Sequence, residues 1–151
     1  MVARQSLEPT LDPADYSFTH HLRTRFAETD AMGIIHHAAY LPYLEEARVE
    51  YLRAIGHPYD AVRGGEEGDP REFPVLEASV RYRRPLRFDD EVAVSLRIGA
   101  VSGATFQIAY LLAVGAEARA TAVTVHGCVD RVGRPVRLPD WVRRVRAPDR
   151  G

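Results

Sequence analysis

The stretch Arg25-Phe-Ala-Glu-Thr-Asp30-Ala-Met-Gly33-Ile-Ile-His36-His37-Ala-Ala-Tyr40 constrains this chain more than any other. It sets a carboxylate, a glycine and two imidazoles between an alternating segment and a run of helix formers. Beyond it, Leu41, Leu44, Ala47, Tyr51, Leu52 and Ile55 recur at the helical period, and Tyr40, Tyr43, Val49 and Ala54 widen the apolar stripe. Gly56 and His57-Pro58 stop the helix. The spacing predicts a helix over 38–55, apolar around so much of its girth that a sheet should wrap it. Its first N–H groups have no partner inside the helix, so they point at whatever the preceding turn holds.

Segments of period two flank that helix. Residues 16–26 alternate Phe18, His20, Leu22, Thr24 and Phe26 against polar neighbours. From Phe73 the same period returns in four rows: Leu76 to Tyr82, Val92 to Ile98, Phe106 to Val114, and 118–129. Turn signals at Pro85, Asp89-Asp90, Ser102-Gly103 and Gly115 separate the rows, which implies an antiparallel meander. Leu138-Pro139-Asp140 opens a short helix over 141–144. One helix against about five strands makes the fold class α+β. A single domain is expected over 16–146, with 1–15 a disordered leader, 58–72 a loop read as a solvated excursion in preference to a lid over a ligand, and 147–151 a tail.

Composition narrows the function. With 151 residues and a net charge of −1, neither nucleic acid nor a membrane is expected as partner. All 20 basic residues are Arg, which rules out a lysine nucleophile or Schiff base. The single Cys128 excludes an internal disulfide and fits a reducing compartment, so a cytoplasmic location is expected. His20, His21, His36, His37, His57 and His126 show no His-x-x-x-His spacing, so no metal is expected.

Within the first stretch, Asp30 lies seven residues before His37, and Gly33 lets the chain fold back between them. That spacing places a carboxylate beside a helix entry, where N–H groups stabilise developing negative charge on an oxygen. Asp is equally at home capping such a turn, and spacing alone leaves both roles open. A second cluster, Arg81, Arg83, Arg84 and Arg87, surrounds Pro85; strand alternation sets Arg81 and Arg83 on one face and Arg84 on the other. Guanidinium groups there suit a phosphate, or simply solvate a strand end.

Residues 23–55, together with 82–92 and 129–139, resemble the 4-hydroxybenzoyl-CoA thioesterase-like branch of the hot-dog fold. The resemblance implies a five-stranded antiparallel sheet wrapped around a long central helix, assembled as a homodimer or homotetramer. It implies hydrolysis of an acyl-CoA or acyl-carrier-protein thioester, with no cofactor beyond the coenzyme A of the substrate. Asp30 takes the place of the family's catalytic carboxylate, as nucleophile or general base. The oxyanion donor falls at the backbone of His37, whose imidazole is a second catalytic candidate. Gly33, Ile35, His36, Tyr40, Arg83, Arg84 and Arg87 are the implied substrate contacts. Members often carry an aromatic residue where this chain has His36, so the wall of the acyl pocket differs. Two rival readings are a hot-dog hydratase or dehydratase, suggested by the His36–Glu50 spacing, and a non-catalytic acyl-CoA-binding dimer. The first lacks the Pro- and Gly-rich sequence that follows the histidine in those enzymes, and retention of Asp30 argues against the second.

Overall fold

The structure, a computed structural model, describes residues 4–58 and 70–146. Most of the loop expected over 58–72, and the tail at 147–151, lie outside the described residues. The period-two segments form β1 (Phe18–Arg23), β2 (Val75–Tyr82), β3 (Glu91–Gly99), β4 (Thr105–Val114) and β5 (Glu117–Gly127). Helix α1 (Tyr40–Ala54) lies between β1 and β2 in the chain, and α2 (Asp140–Arg144) follows β5.

The five strands make one antiparallel sheet in the order β1-β3-β4-β5-β2. Strands β3, β4 and β5 form the expected meander. Strand β2 departs from it, pairing with β5 at the far edge instead of with β3. The reason lies in residues 83–90, which do not close a hairpin. Arg83 N–H and Arg84 N–H both donate to Arg119 O, at 2.8 and 3.0 Å, and Arg87 bridges to Ile34. Buried Leu86 anchors this segment beside the turn that leads into α1. β1 and β2 thus occupy opposite edges, and α1 crosses the sheet face between them.

Residues Tyr40, Tyr43, Leu44, Ala47 and Tyr51 bury one face of α1 against Val92, Val94, Leu96 and Ile98 of β3 and Tyr110 and Leu112 of β4. Each fully buried Leu or Val stabilises the fold by about 1.5–3 kcal/mol. The expected enclosure holds on that face alone: Leu41 is 46% exposed, and Pro42, Glu45, Glu46, Arg53 and Ala54 are also exposed. The stripe is wide, yet a sheet curving under a helix reaches only about half its circumference.

The other face of the sheet corrects the expectation of a disordered leader, as far as residues 4–15 are described. Gln107 points there from β4 and is 4% exposed. A buried amide needs partners for its donors and acceptors. The N-terminal segment supplies them: Gln107 Oε1 accepts from Ser6 N and Leu7 N at 2.9 and 3.0 Å, and Nε2 donates to Arg4 O at 2.8 Å. Leu7 is buried over Gly99, where a Cβ would stand 2.9 Å from Leu7 Cδ1. The glycine is what admits the leucine.

Inside the sheet–helix interface runs a chain of polar groups. Arg48 Nη1 donates to Tyr110 Oη at 3.2 Å, Tyr110 Oη lies 2.8 Å from Thr124 Oγ1, and Thr124 Oγ1 lies 2.8 Å from His126 Nε2. His126 Nδ1 meets Phe73 O at 3.2 Å. The ends fix every proton, because a guanidinium only donates and a carbonyl only accepts. His126 therefore carries its proton on Nδ1, Thr124 donates to Nε2, and Tyr110 donates to Thr124. Burial, and then the Arg48 charge, lower the His126 pKa to about 3.

The unfolded chain takes up this proton near pH 6.5, whereas the folded one resists it until about pH 3. Between those values the unfolded state holds more protons, so stability is full above 6.5 and falls with acidification, by up to ~1.4 kcal/mol per pH unit. Urea midpoints taken between pH 7 and 5 should show this slope, and His126→Gln should flatten it in the same window. An unchanged slope in the variant would mean His126 is not the responsible group.

Candidate active site

Between β1 and α1 the chain folds into a short brace. Arg25 N–H donates to Glu28 Oε1 at 2.8 Å and closes a 3-10 turn over Phe26–Glu28. Asp30 N–H donates to Ile34 O at 2.8 Å, and Gly33 N–H donates to Asp30 O at 3.0 Å. Gly33 sits at φ +78, the left-handed region that reverses the chain at low cost only for glycine. Asp30 Oδ1 accepts from Met32 N at 2.8 Å and Ile34 N at 3.4 Å. Asp30 Oδ2 has no hydrogen-bond partner among the described residues. One oxygen of Asp30 caps the turn, and the other is left to the cleft.

Residues 36–39 then enter the helix. His36 N–H donates to Glu28 O at 2.8 Å, Ala38 N–H donates to His36 Nδ1 at 3.0 Å, and Ala39 N–H donates to His36 O at 2.9 Å. Ile35 N–H reaches Leu86 O at 2.8 Å. From Ile35 to Ala39, only the His37 N–H has no partner among the described residues. Because Nδ1 of His36 accepts, its ring proton sits on Nε2, and the ring stacks on His37 at 4.2 Å.

Asp30 and His37 line one cleft of 330 Å³ together with Ile35, Tyr40, Arg83 and Arg84. Met32, Ile34, Tyr82 and Pro85 complete its wall. Gly33, His36 and Arg87 do not line it. Gly33 shapes the turn and His36 caps the helix entry. Arg87 is held by its backbone, which bridges Ile34 and donates to Asp90 Oδ2 at 2.7 Å. Both Arg83 and Arg84 reach the cleft, contrary to simple alternation, because β2 ends at Tyr82 and the two N–H groups share one carbonyl. Arg81 lines a separate groove with Gln5, Glu8 and Pro9. Arg84 faces Glu117 at 3.8 Å, while Arg83 has no ion pair among the described residues.

Two residues matter here that sequence reasoning did not single out. Tyr82 donates its hydroxyl to His37 O at 2.9 Å and packs edge-on to Tyr40 at 4.8 Å, tying the helix entry to the end of β2. Glu28 accepts from Tyr43 Oη at 2.6 Å and braces Arg25, so one carboxylate joins the 3-10 turn to α1. An acid three residues after Arg25, ahead of the Asp30 turn, was the available signal for Glu28. Burial raises the Tyr40 pKa, keeping its phenol neutral as a wall of the cleft. Among the described residues, no group of three or more His, Cys, Asp or Glu is placed to hold a metal.

A helix seated on a five-stranded antiparallel sheet is the hot-dog fold of the thioester hydrolases. The chain belongs to the thioesterase-like superfamily, whose pattern matches residues 24–145. It is 30% identical to a 1,4-dihydroxy-2-naphthoyl-CoA hydrolase of Synechococcus elongatus, over 86% of this chain and 96% of that one. It is 30% identical to an acyl-CoA thioesterase of Haemophilus influenzae, over 85% of this chain and 93% of that one. A crystal structure of an Aquifex aeolicus protein superposes with a TM-score of 0.78 at 38% identity, covering 85% and 98% of the two chains.

The turn makes a specific demand on Gly33. A Cβ there would meet nothing within 4 Å, so the strain is purely conformational. Gly33→Ala should cost about 1–2 kcal/mol, and Gly33→Asn less, since Asn tolerates the left-handed region. Thermal melts should show roughly a 2–8 °C drop for Ala and a partial recovery for Asn.

Proposed function

We propose that this chain hydrolyses the thioester of an acyl-CoA, with Asp30 supplying the base or nucleophile and the His37 backbone N–H receiving the oxyanion. The observation that carries this reading is the pairing of one free carboxylate oxygen with one free helix-entry amide in the same cleft. The names of the relatives support the substrate class, since both act on CoA thioesters.

In the general-base route, Asp30 Oδ2 takes a proton from water as the water oxygen attacks the thioester carbonyl. The developing alkoxide accepts a hydrogen bond from His37 N–H, a donor worth ~10²–10³ in rate where such donors have been removed. Collapse breaks the C–S bond, and the proton on Asp30 passes to the departing thiolate. In the nucleophilic route the same Oδ2 attacks instead, giving an anhydride that water then opens. One turnover in ¹⁸O-water separates the routes: the nucleophilic one transfers label into Asp30 when water attacks the anhydride at the aspartyl carbon. The His37 imidazole, exposed and stacked on His36, serves as a wall beside the oxyanion position.

Arg83 and Arg84 at the cleft are assigned to the phosphates of CoA, with Arg87 nearby on the same segment. The free edge of β2, with Val75, Leu76 and Tyr82 each about half exposed, supports self-association as a homodimer or homotetramer. A carrier-protein thioester would present its acyl group on the same pantetheine arm, without the nucleotide phosphates.

Asp30→Asn keeps the turn-capping oxygen and removes the free carboxylate, so kcat should fall at least ~10²-fold with KM little changed. Near-native turnover on the best substrate of an acyl-CoA panel would remove Asp30 from the mechanism.

Replacing Arg83 or Arg84 by Gln should raise KM for acyl-CoA by ~3- to 10-fold each, less at high salt, while acyl-pantetheine should be almost indifferent. Equal losses on both substrates would mean that the arginines hold the fold instead.

A further inference from the structure

The face of the sheet turned away from α1 is apolar and covered. Ala109 and Leu111 of β4 and Val123 and Val125 of β5 alternate with the residues that meet the helix, so they point to the other side. All four are at most 1% exposed. The N-terminal segment crosses this face. It lies ahead of residues 24–145, the part of the chain that matches the superfamily pattern.

The segment is held at a few points and not packed along its length. Tyr16 Oη donates to Thr10 O at 2.7 Å and accepts from Thr10 N at 3.1 Å, which turns the chain back over the sheet. Arg97 of β3 donates to Glu8 O at 3.3 Å, and Gln107 of β4 holds Arg4, Ser6 and Leu7 by their backbone. Ser79 of β2 donates to Gln5 Oε1 at 2.5 Å, so the strap reaches strands from β3 to the β2 edge. Within residues 4–12 only Leu7 is buried. Between the strap and β5 a groove of 260 Å³ stays open, lined by Gln5, Glu8, Pro9, Thr121 and Val123. Such a cover closes the face without joining the core.

We propose that residues 4–12 are an intramolecular cover over a self-pairing surface: with the strap lifted, this face docks against the same face of a second copy of the chain. Small and branched apolar side chains suit a second sheet, which packs at about 10 Å. The buried amide of Gln107 is self-complementary, because across a two-fold axis the Oε1 of each copy accepts from the Nε2 of the other. Area explains why the strap prevails in the intact chain. Five strands by about five residues present a patch of about 24 by 17 Å, or ~400 Å², half of one side of a standard interface. Pairing of that size is weak, with dissociation constants of roughly tens of micromolar, whereas a tethered strap acts at an effective concentration near millimolar. The surface is separate from the β2 edge to which self-association was assigned above. It does not depend on the roles given to Asp30 or the arginines.

The Ser6 and Leu7 amides, both bonded to Gln107 Oε1, report whether the strap is seated. In the intact chain they should exchange slowly with deuterium. Leu7→Asp sets a charge on the apolar seat above Gly99, so both amides should exchange at least ~10-fold faster. Sedimentation of this variant should then show its mass rising to twice that of the wild type as concentration approaches about 200 µM. Gly99→Val, a residue at home in a strand, evicts Leu7 from below and should act the same way. A peptide of residues 4–12 in excess should return Leu7→Asp to the wild-type mass, and should fail to do so with Gly99→Val, whose seat is filled. Val123→Glu, added to Leu7→Asp, should abolish the doubling while the amides stay fast. The proposal is overturned if the strap amides are freed with no rise in mass, or if the doubling survives Val123→Glu, since the copies would then meet elsewhere. Unchanged exchange in both Leu7→Asp and Gly99→Val overturns it too, because the strap would not be seated at Gly99. Thioester turnover enters none of these readouts, so the proposed activity stands or falls separately.

Discussion

Strands β1 and β2 lie on opposite edges of one sheet, and the chain between them must cross its face. That crossing is α1, and most other features of the molecule are conditions on it. The helix presents Tyr40, Leu44, Ala47 and Tyr51 to the sheet because only one face can meet it. Its entry falls where Tyr82, the last residue of β2, reaches His37 O, and the cleft forms at that meeting. Farther along, an aromatic cavity of 410 Å³ is lined by Leu52 of α1, Phe73, Val75 of β2, Phe106 of β4 and Trp141 of α2. One crossing element therefore generates both concave regions, one polar at its start and one apolar alongside its later turns.

The brace before the helix works by satisfying nearly everything. Glu28 takes Arg25 N–H, Tyr43 Oη and, through its carbonyl, His36 N–H. Asp30 gives one oxygen to the turn, and His36 caps the helix with its own ring. Among the described residues, what stays free is one carboxylate oxygen and one amide. Fixed groups whose neighbours are all satisfied have little freedom to reorganise when charge develops near them, the condition under which hydrogen-bond donors act most strongly on a reaction.

Much of this was legible in the residues, and the exceptions share a cause. Periodicity located every strand and the central helix, because burial of one face imposes a period regardless of partner. The turn at Gly33 was legible because only a few residue types accept its backbone. The pairing of β2 with β5 was not, since Pro85 and Asp89-Asp90 signal a change of direction without saying whether the chain returns beside its own strand. The docking of residues 4–12 was hidden for a related reason. Leu7 is a single apolar residue in a polar segment, and its meaning depends on Gln107 and Gly99, about a hundred positions away. The placement of Arg84 beside Arg83 failed where alternation itself stops, at two amides sharing Arg119 O. The chain from Arg48 to Phe73 was likewise invisible, because it joins three elements and the segment before β2 through groups unremarkable one by one.

That chain has a property of its own. In most hydroxyl networks protons can be shuffled among equivalent arrangements, as in ice, and the dipole averages toward zero. Here a donor-only group stands at one end and an acceptor-only group at the other, so a single arrangement survives. The wall behind the aromatic cavity therefore carries a permanent, oriented polarisation with no residual proton disorder. It cannot relay a proton in either direction without first uncoupling from Arg48 or from Phe73. The interior of this sheet–helix sandwich is in that sense an electret, poled by the fold.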